Sequence, residues 1–105
     1  MLTPMTGTAC ITALKALGEL NRLRIVRLLS QEELGVNQIS EQLAISQYNV
    51  SKHLRVLKAA GLVAVRIAGR QHCYAVTPGL KQKPAANQNV LDLGCCTFRF
   101  DALPR

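Results

Sequence analysis

Four cysteines carry the most versatile chemistry in this sequence: Cys10, Cys73 and the adjacent pair Cys95 and Cys96. In a reducing compartment they are not expected to form a disulfide framework, which leaves metal binding, thiol redox chemistry or simple burial. Soft, thiophilic ions prefer thiolate ligands, and trivalent arsenic needs three of them. The adjacent pair therefore predicts a soft-ion or metalloid site that one thiolate from Cys10 or Cys73 would complete.

Cys10 is the predicted third ligand of this site. Cys73 falls in a predicted strand and has the pattern of a half-buried structural residue, so the metal site is assigned to Cys95, Cys96 and Cys10. A structural zinc site is not expected, because the sequence has no Cys-x-x-Cys pair and no matching histidine spacing. The pair also leaves open a thiol switch that responds to oxidants or reactive sulfur.

A second group of reactive side chains lies on residues 47–60, around an apolar stripe. Glutamine and asparagine can pair with adenine, arginine and lysine with guanine, and serine and tyrosine with phosphate. The start of a helix also directs free amides at a phosphate. The predicted DNA-binding residues are Ser46, Gln47, Tyr48, Asn49, Ser51, Lys52 and Arg55 on this segment and Arg66 and Arg70 beyond it.

The basic residues are concentrated in the middle of the chain. The formal net charge is +7, and the interval between Glu41 and Asp92 contains seven basic residues and no acidic one. A basic centre favours a polyanion as partner, because each neutralised phosphate releases condensed counterions. A solvated basic face is the alternative interpretation.

Length and composition indicate one folded domain. The 105 residues are 49% hydrophobic and 18% charged, unlike a disordered or fibrous chain. A lone domain of this size buries only about two thirds of its surface, so a dimer would add stability. No apolar run approaches the roughly 20 residues that cross a bilayer, and the first residues do not resemble a secretory signal. We expect a cytoplasmic protein that does not bind membranes.

Apolar spacing predicts four helices. They cover residues 8–18, 21–29, a short segment after residue 37, and residues 47–60. Their predicted caps are Asn21, Asn37 and Ser46, and Gly61 ends the last helix. Only residues 44–46 separate the last two helices, which should therefore form a helix-turn-helix pair.

After Gly61 the apolar pattern indicates strands. Residues 62–67 and 71–77 predict a β-hairpin wing with a basic turn at 68–70. Residues 81–89 predict a flexible connector, and residues 90–101 an extra strand or extended arm. The predicted fold is mainly α with a β-hairpin wing. Its DNA-binding domain covers residues 1–79, and residues 80–105 form a connector and a Cys-Cys arm that could join a dimer interface.

Three motifs occur in order: RLRIVRLL, VSKHLRVLKAAGLV, and a Gly-Arg turn followed by Tyr74. In this combination, residues 14–76 resemble the DNA-binding core of ArsR/SmtB repressors. The resemblance implies a winged-helix homodimer that represses an operon until an effector binds. It also implies that the helix Gln47–Ala60 enters the major groove of each half-site of a pseudo-palindromic operator.

Departures from the family pattern limit the effector sites. Family members that sense arsenite through the third helix carry ELCVCDL, whereas residues 33–39 here are ELGVNQI, so Gly35 and Asn37 replace both thiols. The segment after Pro78 contains no histidine for the zinc and nickel sites of the family, and Pro84 interrupts its usual fifth helix. Other members use neighbouring C-terminal cysteines with a third close by, which the pair Cys95 and Cys96 resembles.

The sequence therefore predicts a dimeric repressor that needs no cofactor and binds double-stranded DNA. Arsenite, antimonite or another soft metal ion would release it by binding thiolates near Cys95 and Cys96. The alternatives are a repressor that responds to oxidants or reactive sulfur, and a DNA-binding regulator without an effector. An enzyme is not expected, because no constellation of converging acid, base and nucleophile occurs.

Overall fold

The computed structural model describes residues 7–80 and 90–102. Within them the chain forms four α-helices, two β-hairpins and a final 3₁₀ turn. The bounds are α1 Thr8–Leu17, α2 Leu20–Leu29, α3 Val36–Leu43, α4 Gln47–Ala59, β1 Val63–Ala68, β2 Gln71–Val76, β3 Val90–Asp92, β4 Thr97–Arg99 and the turn Phe100–Ala102. This order confirms the predicted winged helix-turn-helix fold. In the described part of the chain, no helix is long and apolar enough to span a membrane.

The helices surround one core because each buries its apolar stripe. Burial of a large aliphatic side chain stabilises a fold by about 1.5–3 kcal/mol. The fully buried residues of α2, α3 and α4 are Ile25, Val26, Leu29, Ile39, Val50, Leu54 and Leu57. The core thereby fixes the rotation of each helix about its own axis.

The caps of α2 and α3 differ from the prediction. Glu19 rather than Asn21 caps α2, because its carboxylate accepts hydrogen bonds from the backbone N–H groups of Asn21 and Arg22 at 3.1 and 3.0 Å. A negative charge is also favoured near the positive end of the helix dipole. The N-cap of α3 is Gly35, so Asn37 already lies inside the helix. Both predicted caps, Asn21 and Asn37, were wrong.

Helices α3 and α4 form the predicted helix-turn-helix pair. Ala44 takes a left-handed backbone conformation, with φ of 57°, and ends α3. Ile45 then donates a backbone hydrogen bond to the Ser40 carbonyl oxygen at 3.2 Å. Ser46 caps α4 as predicted, since its Oγ accepts a hydrogen bond from the Asn49 N–H at 3.1 Å. This short turn makes the orientation of α4 depend on the packing of α3.

Strands β1 and β2 form the predicted wing. They pair antiparallel from Val63 opposite Val76 to Ala68 opposite Gln71. Gly69 lies in the turn with φ of 64°, a conformation that side chains with a Cβ rarely adopt. The wing therefore extends from the end of α4 and carries its basic turn at the far end.

A backbone bridge attaches the wing to the start of α3. Leu34 N donates to the Tyr74 carbonyl oxygen at 3.0 Å, and Tyr74 N donates to the Leu34 carbonyl oxygen at 2.7 Å. The approach is close here, because a Cβ added at Gly35 would lie 3.3 Å from the His72 carbonyl oxygen. A side chain at position 35 would thus require β2 to shift by a few tenths of an ångström.

The C-terminal segment is a second hairpin. Of the predicted alternatives, an extra strand or an extended arm, the structure has two short antiparallel strands with Val90 opposite Arg99 and Asp92 opposite Thr97. Gly94 lies in the intervening turn with φ of 90°. In the described residues after Leu80 there is no α-helix. The predicted connector, residues 81–89, lies outside the described residues.

This hairpin and the 3₁₀ turn that follows it pack into the core of the helices. Leu91, Leu93 and Phe100 are fully buried and belong to the same cluster as the buried residues of α1. The Asp92 N–H also donates to the Leu80 carbonyl oxygen at 2.7 Å. Residues from both predicted segments, 1–79 and 80–105, therefore share one hydrophobic core.

We expect Phe100→Ala to lower the free energy of unfolding by about 3–5 kcal/mol, because it leaves a cavity in this core. Chemical denaturation of the reduced protein measures the change. Thr97→Ala, on the exposed part of the same hairpin, is the matched control, for which a change within about 0.5 kcal/mol is expected. A loss below 1 kcal/mol for Phe100→Ala would show that the hairpin is not part of the core.

Candidate nucleic-acid interface and cysteine cluster

Helix α4 exposes the polar face that its sequence predicts. Because Val50, Leu54 and Leu57 point into the core, most of the other positions of the helix face solvent. The exposed residues among the predicted DNA contacts of this segment are Ser46, Gln47, Tyr48, Asn49, Ser51, Lys52 and Arg55. The structure therefore brings all of them onto the outer surface of α4 and its cap.

Tyr48 and Lys52 contact one another on this surface. The Lys52 Nζ lies 5.5 Å from the centre of the Tyr48 ring, a cation–π arrangement between residues one helical turn apart. Tyr48 is 73% exposed, so the ring covers little of the core. Its hydroxyl and the ammonium group of Lys52 are both free to donate hydrogen bonds to a phosphate.

His53 lies on the side of α4 that faces α2. Its Nδ1 is 3.5 Å from the Glu19 Oε2, and its side chain is largely buried. Burial raises the pKa of Glu19, but the backbone N–H groups of Asn21 and Arg22, with the charges of His53 and Arg22, lower that pKa overall. The same carboxylate therefore caps α2 and contacts α4, so it links the start of α2 to the middle of α4.

The two wing arginines differ in their surroundings. Arg70 is exposed in the turn between β1 and β2. Arg66 is also exposed, but its side chain is paired with Glu33. The Arg66 Nε donates a hydrogen bond to the Glu33 Oε2 at 3.2 Å, and the Arg66 Nη2 donates one to the Glu33 Oε1. The hydrogen bonds between them lower the pKa of Glu33 and raise that of Arg66. Sequence reasoning missed Glu33, since the two residues are 33 positions apart.

Three of the four cysteines lie together. The Sγ atoms of Cys10, Cys95 and Cys96 are all within 4.8 Å of one another. Cys10 and Cys95 form a disulfide with a Cα–Cα distance of 6.4 Å, and the Cys95 and Cys96 Sγ atoms are 4.0 Å apart. Cys73, the other candidate for the third thiolate, is a free cysteine on β2 outside this group. No disulfide framework was expected, and this single disulfide belongs with the thiol redox chemistry that the sequence left open.

The reduced cluster has the chemistry of a soft-ion site. Thiolates each about 2.3 Å from a shared ion lie at most about 4.6 Å apart. The Cys95 and Cys96 Sγ atoms are 4.0 Å apart, within this limit, whereas the Cys10 and Cys95 sulfurs are bonded to one another. Only thiolates act as ligands, so the disulfide must first be reduced. These three residues are therefore the ones that would hold a soft ion, and only after reduction of the disulfide.

The cluster joins α1 to the C-terminal hairpin. Cys10 is half-buried near the start of α1, Cys95 is exposed in the turn between β3 and β4, and Cys96 packs against the core. Next to Cys10, Ile11 and Leu14 are apolar but 54% and 40% exposed. A bond formed in the cluster therefore acts on a helix that exposes two apolar side chains next to it.

Comparison with known proteins identifies related sequences. A family model described as "Bacterial regulatory protein, arsR family" matches residues 20–65. The arsenical resistance operon repressor of Staphylococcus aureus is 32% identical over 81 residues, which cover 77% of this chain and 78% of that protein. The transcriptional activator HlyU of Vibrio cholerae is 39% identical over 67 residues, 64% of this chain. The chain spans only 62% of the length of the relatives with which it shares 39% identity.

Solved structures of related proteins have the same fold. HlyU from Vibrio cholerae superposes with a TM-score of 0.64 at 32% identity, over 68% of this chain and 77% of that one. A homodimeric winged helix-turn-helix DNA-binding domain from Mycobacterium bovis superposes with a TM-score of 0.63, also at 32% identity, over 65% of this chain and 63% of that one. The prediction of a non-enzymatic regulator agrees with the nature of these relatives.

We expect Glu33→Gln to strengthen DNA binding and to steepen its salt dependence. Without the carboxylate, Arg66 is free to pair with a phosphate. One more phosphate contact makes the slope of log K against log salt more negative by roughly 0.9. Fluorescence anisotropy with a duplex from the chain's own upstream region, at several salt concentrations, measures this slope. Glu32→Gln removes the same charge from the neighbouring exposed residue and is the control. Equal slopes for the two variants would contradict a DNA contact by Arg66.

Proposed function

The chain belongs to the ArsR family of bacterial regulatory proteins, and on this basis we propose that it is a homodimeric transcriptional repressor. It binds a pseudo-palindromic operator in the cytoplasm through α4 and the wing. A trivalent metalloid such as arsenite or antimonite, or another soft ion, releases it by binding Cys10, Cys95 and Cys96. The observation that carries the proposal is the exposed polar face of α4, held on a helix-turn-helix next to a basic wing.

Major-groove recognition follows from the side chains of this face. Gln47 and Asn49 offer amide groups that match adenine, and Arg55 offers a guanidinium that matches guanine. Tyr48 and Lys52 lie beside one another, where they can hold phosphate and fix the register of the helix on the duplex. Arg70 at the wing turn reaches the flanking backbone or minor groove.

A homodimer is supported by the outer face of α1 and by a relative. Ile11 and Leu14 expose apolar surface that a second copy would cover. The Mycobacterium bovis domain, of the same fold, is homodimeric. Two copies would present their α4 helices to half-sites about one helical turn apart, and the spacing of the copies would determine the affinity for the operator.

For an effector to release the repressor from DNA, its binding must change the spacing of the two α4 helices in the dimer. The three sulfur atoms come from α1 and from the turn of the C-terminal hairpin, so a shared ion would restrain one element against the other. A repressor whose two geometries differ in effector affinity by 1–3 kcal/mol would lose about 5- to 150-fold in operator affinity.

DNA recognition is tested with Arg55→Ala and Lys52→Ala. We expect Arg55→Ala to cost about 1–3 kcal/mol of binding free energy and to relax base preference at one operator position. Lys52→Ala should weaken binding to all duplexes alike and make the salt dependence shallower by about one phosphate contact. Anisotropy titrations with the upstream duplex and single-base variants measure both effects. Lys15→Ala on α1 removes the same charge and is the control; losses no greater than in this control would contradict an interface on α4.

The effector is tested with protein reduced by a phosphine, which is then removed. We expect arsenite and antimonite to release the upstream duplex from wild-type protein in a gel-shift titration, and not from a Cys95→Ser/Cys96→Ser double variant. Cys73→Ser is the control and should respond as wild type does. Equal release from the double variant would exclude the cluster as the sensor, and no release from any variant would indicate a regulator without this effector.

A further inference from the structure

The cysteine cluster offers two chemically exclusive states. In one, three thiolates are available to an ion; in the other, the disulfide between Cys10 and Cys95 consumes two of them and leaves the thiol of Cys96. A disulfide sulfur is not a thiolate ligand, so the second state cannot hold a three-coordinate ion. Both states nevertheless connect the same two elements, α1 and the turn between β3 and β4.

We propose that this disulfide is a second input to the regulator. A hydroperoxide oxidises Cys10 and Cys95, the bond between them releases the operator without any metalloid, and the oxidised protein no longer binds metalloid. The inference rests on the proposed function for its DNA readout. Cys96 distinguishes the two inputs: its thiolate is needed to bind the ion, but it takes no part in the disulfide.

The geometry favours this pair of sulfur atoms over the adjacent pair. Disulfides usually join Cα atoms 4.4–6.8 Å apart, and those of Cys10 and Cys95 are 6.4 Å apart. The Cα atoms of consecutive residues such as Cys95 and Cys96 are about 3.8 Å apart across a trans peptide, which is too short. The structure therefore joins Cys10 to Cys95 rather than the adjacent pair, and the thiol of Cys96 is left free.

The oxidation balances with one hydroperoxide. Cys95 is exposed, so its thiolate attacks a peroxide oxygen; an S–O bond forms, the O–O bond breaks and the leaving oxygen takes a proton to become water. The thiolate of the half-buried Cys10 then attacks the Cys95 sulfur, the S–S bond forms, and the second oxygen leaves as water. Two thiols and one H₂O₂ thus give one disulfide and two waters, with two electrons passing from sulfur to oxygen.

The disulfide can replace the ion because both restrain α1. Cys10 lies directly before Ile11 and one turn before Leu14, the exposed apolar residues of the proposed dimer contact. A covalent bond from Cys10 to the C-terminal hairpin therefore limits how this face meets a second copy, as an ion shared by the three thiolates would. The direction of the response should be the same for both inputs.

The experiment compares two inputs across four proteins. Wild type, Cys96→Ser, Cys95→Ser and Cys73→Ser are reduced with a phosphine without oxygen, freed of it, and treated with one equivalent of H₂O₂ or with arsenite. Three quantities are measured: the affinity for the fluorescent upstream duplex, the arsenic bound per chain by elemental analysis, and the disulfide connectivity by peptide mapping without reduction. Thermal unfolding checks that each variant is folded.

We expect both inputs to lower the DNA affinity of wild type and of Cys73→Ser at least fivefold. Cys96→Ser should keep the peroxide response and lose the arsenite response, whereas Cys95→Ser should lose both. Peroxide-treated wild type should contain the Cys10–Cys95 bond and bind almost no arsenic, and a phosphine should restore arsenic binding.

Three results would overturn the inference: oxidised wild type with the mapped bond that keeps its DNA affinity, oxidised wild type that binds as much arsenic as the reduced protein, or a Cys96→Ser variant that loses both responses. A different result would contradict the proposed metalloid function alone. If reduced wild type ignores arsenite but releases DNA on oxidation, the metalloid proposal is wrong and the second input stands.

Discussion

The burial of one stripe of α4 is the constraint on which the rest of the structure depends. Val50, Leu54 and Leu57 are spaced so that only one rotation of the helix places all three in the core. That rotation presents the remaining side chains to solvent as a single polar surface. Because the turn to α3 is only three residues long, the surface also has a fixed direction. Packing of this stripe thus sets the rotation of the groups that would read DNA, and the polar contacts at Glu19 and Ser46 add to it.

Local signals were sufficient to predict the helix-turn-helix and the wing. The cap at Ser46, the stop at Gly61 and the alternation around the Gly69 turn act over a few residues, and the sequence contains each of them. The predicted cap of α2, Asn21, was wrong because Glu19 is also able to cap the helix. The charged group of Glu19 has the stronger interaction with the helix dipole. The spacing of apolar residues does not decide which of two nearby residues caps a helix.

Interactions over long sequence distances could not be predicted in the same way. The three-residue strands of the C-terminal hairpin are too short for a clear alternation, and the contact of Phe100 with the helical core leaves no periodic trace. The pair Arg66 and Glu33 is separated by 33 residues and was missed. Cys10 was predicted as the partner of Cys95 and Cys96 by elimination, and the structure places these three together; that the first two form a disulfide followed only from the structure.

The missing side chain at position 35 has a consequence for how effector specificity can evolve in this protein. A cysteine there, as in family members with ELCVCDL, would place its Cβ 3.3 Å from the His72 carbonyl oxygen, so β2 would have to shift by a few tenths of an ångström. A thiol pair of that type would need both Gly35 and Asn37 replaced, and the first of these changes would also alter the contact between the wing and α3. Cys10 and Cys95 lie outside this contact, at half-buried and exposed positions, so the chemistry of their side chains can change without moving the wing against α3.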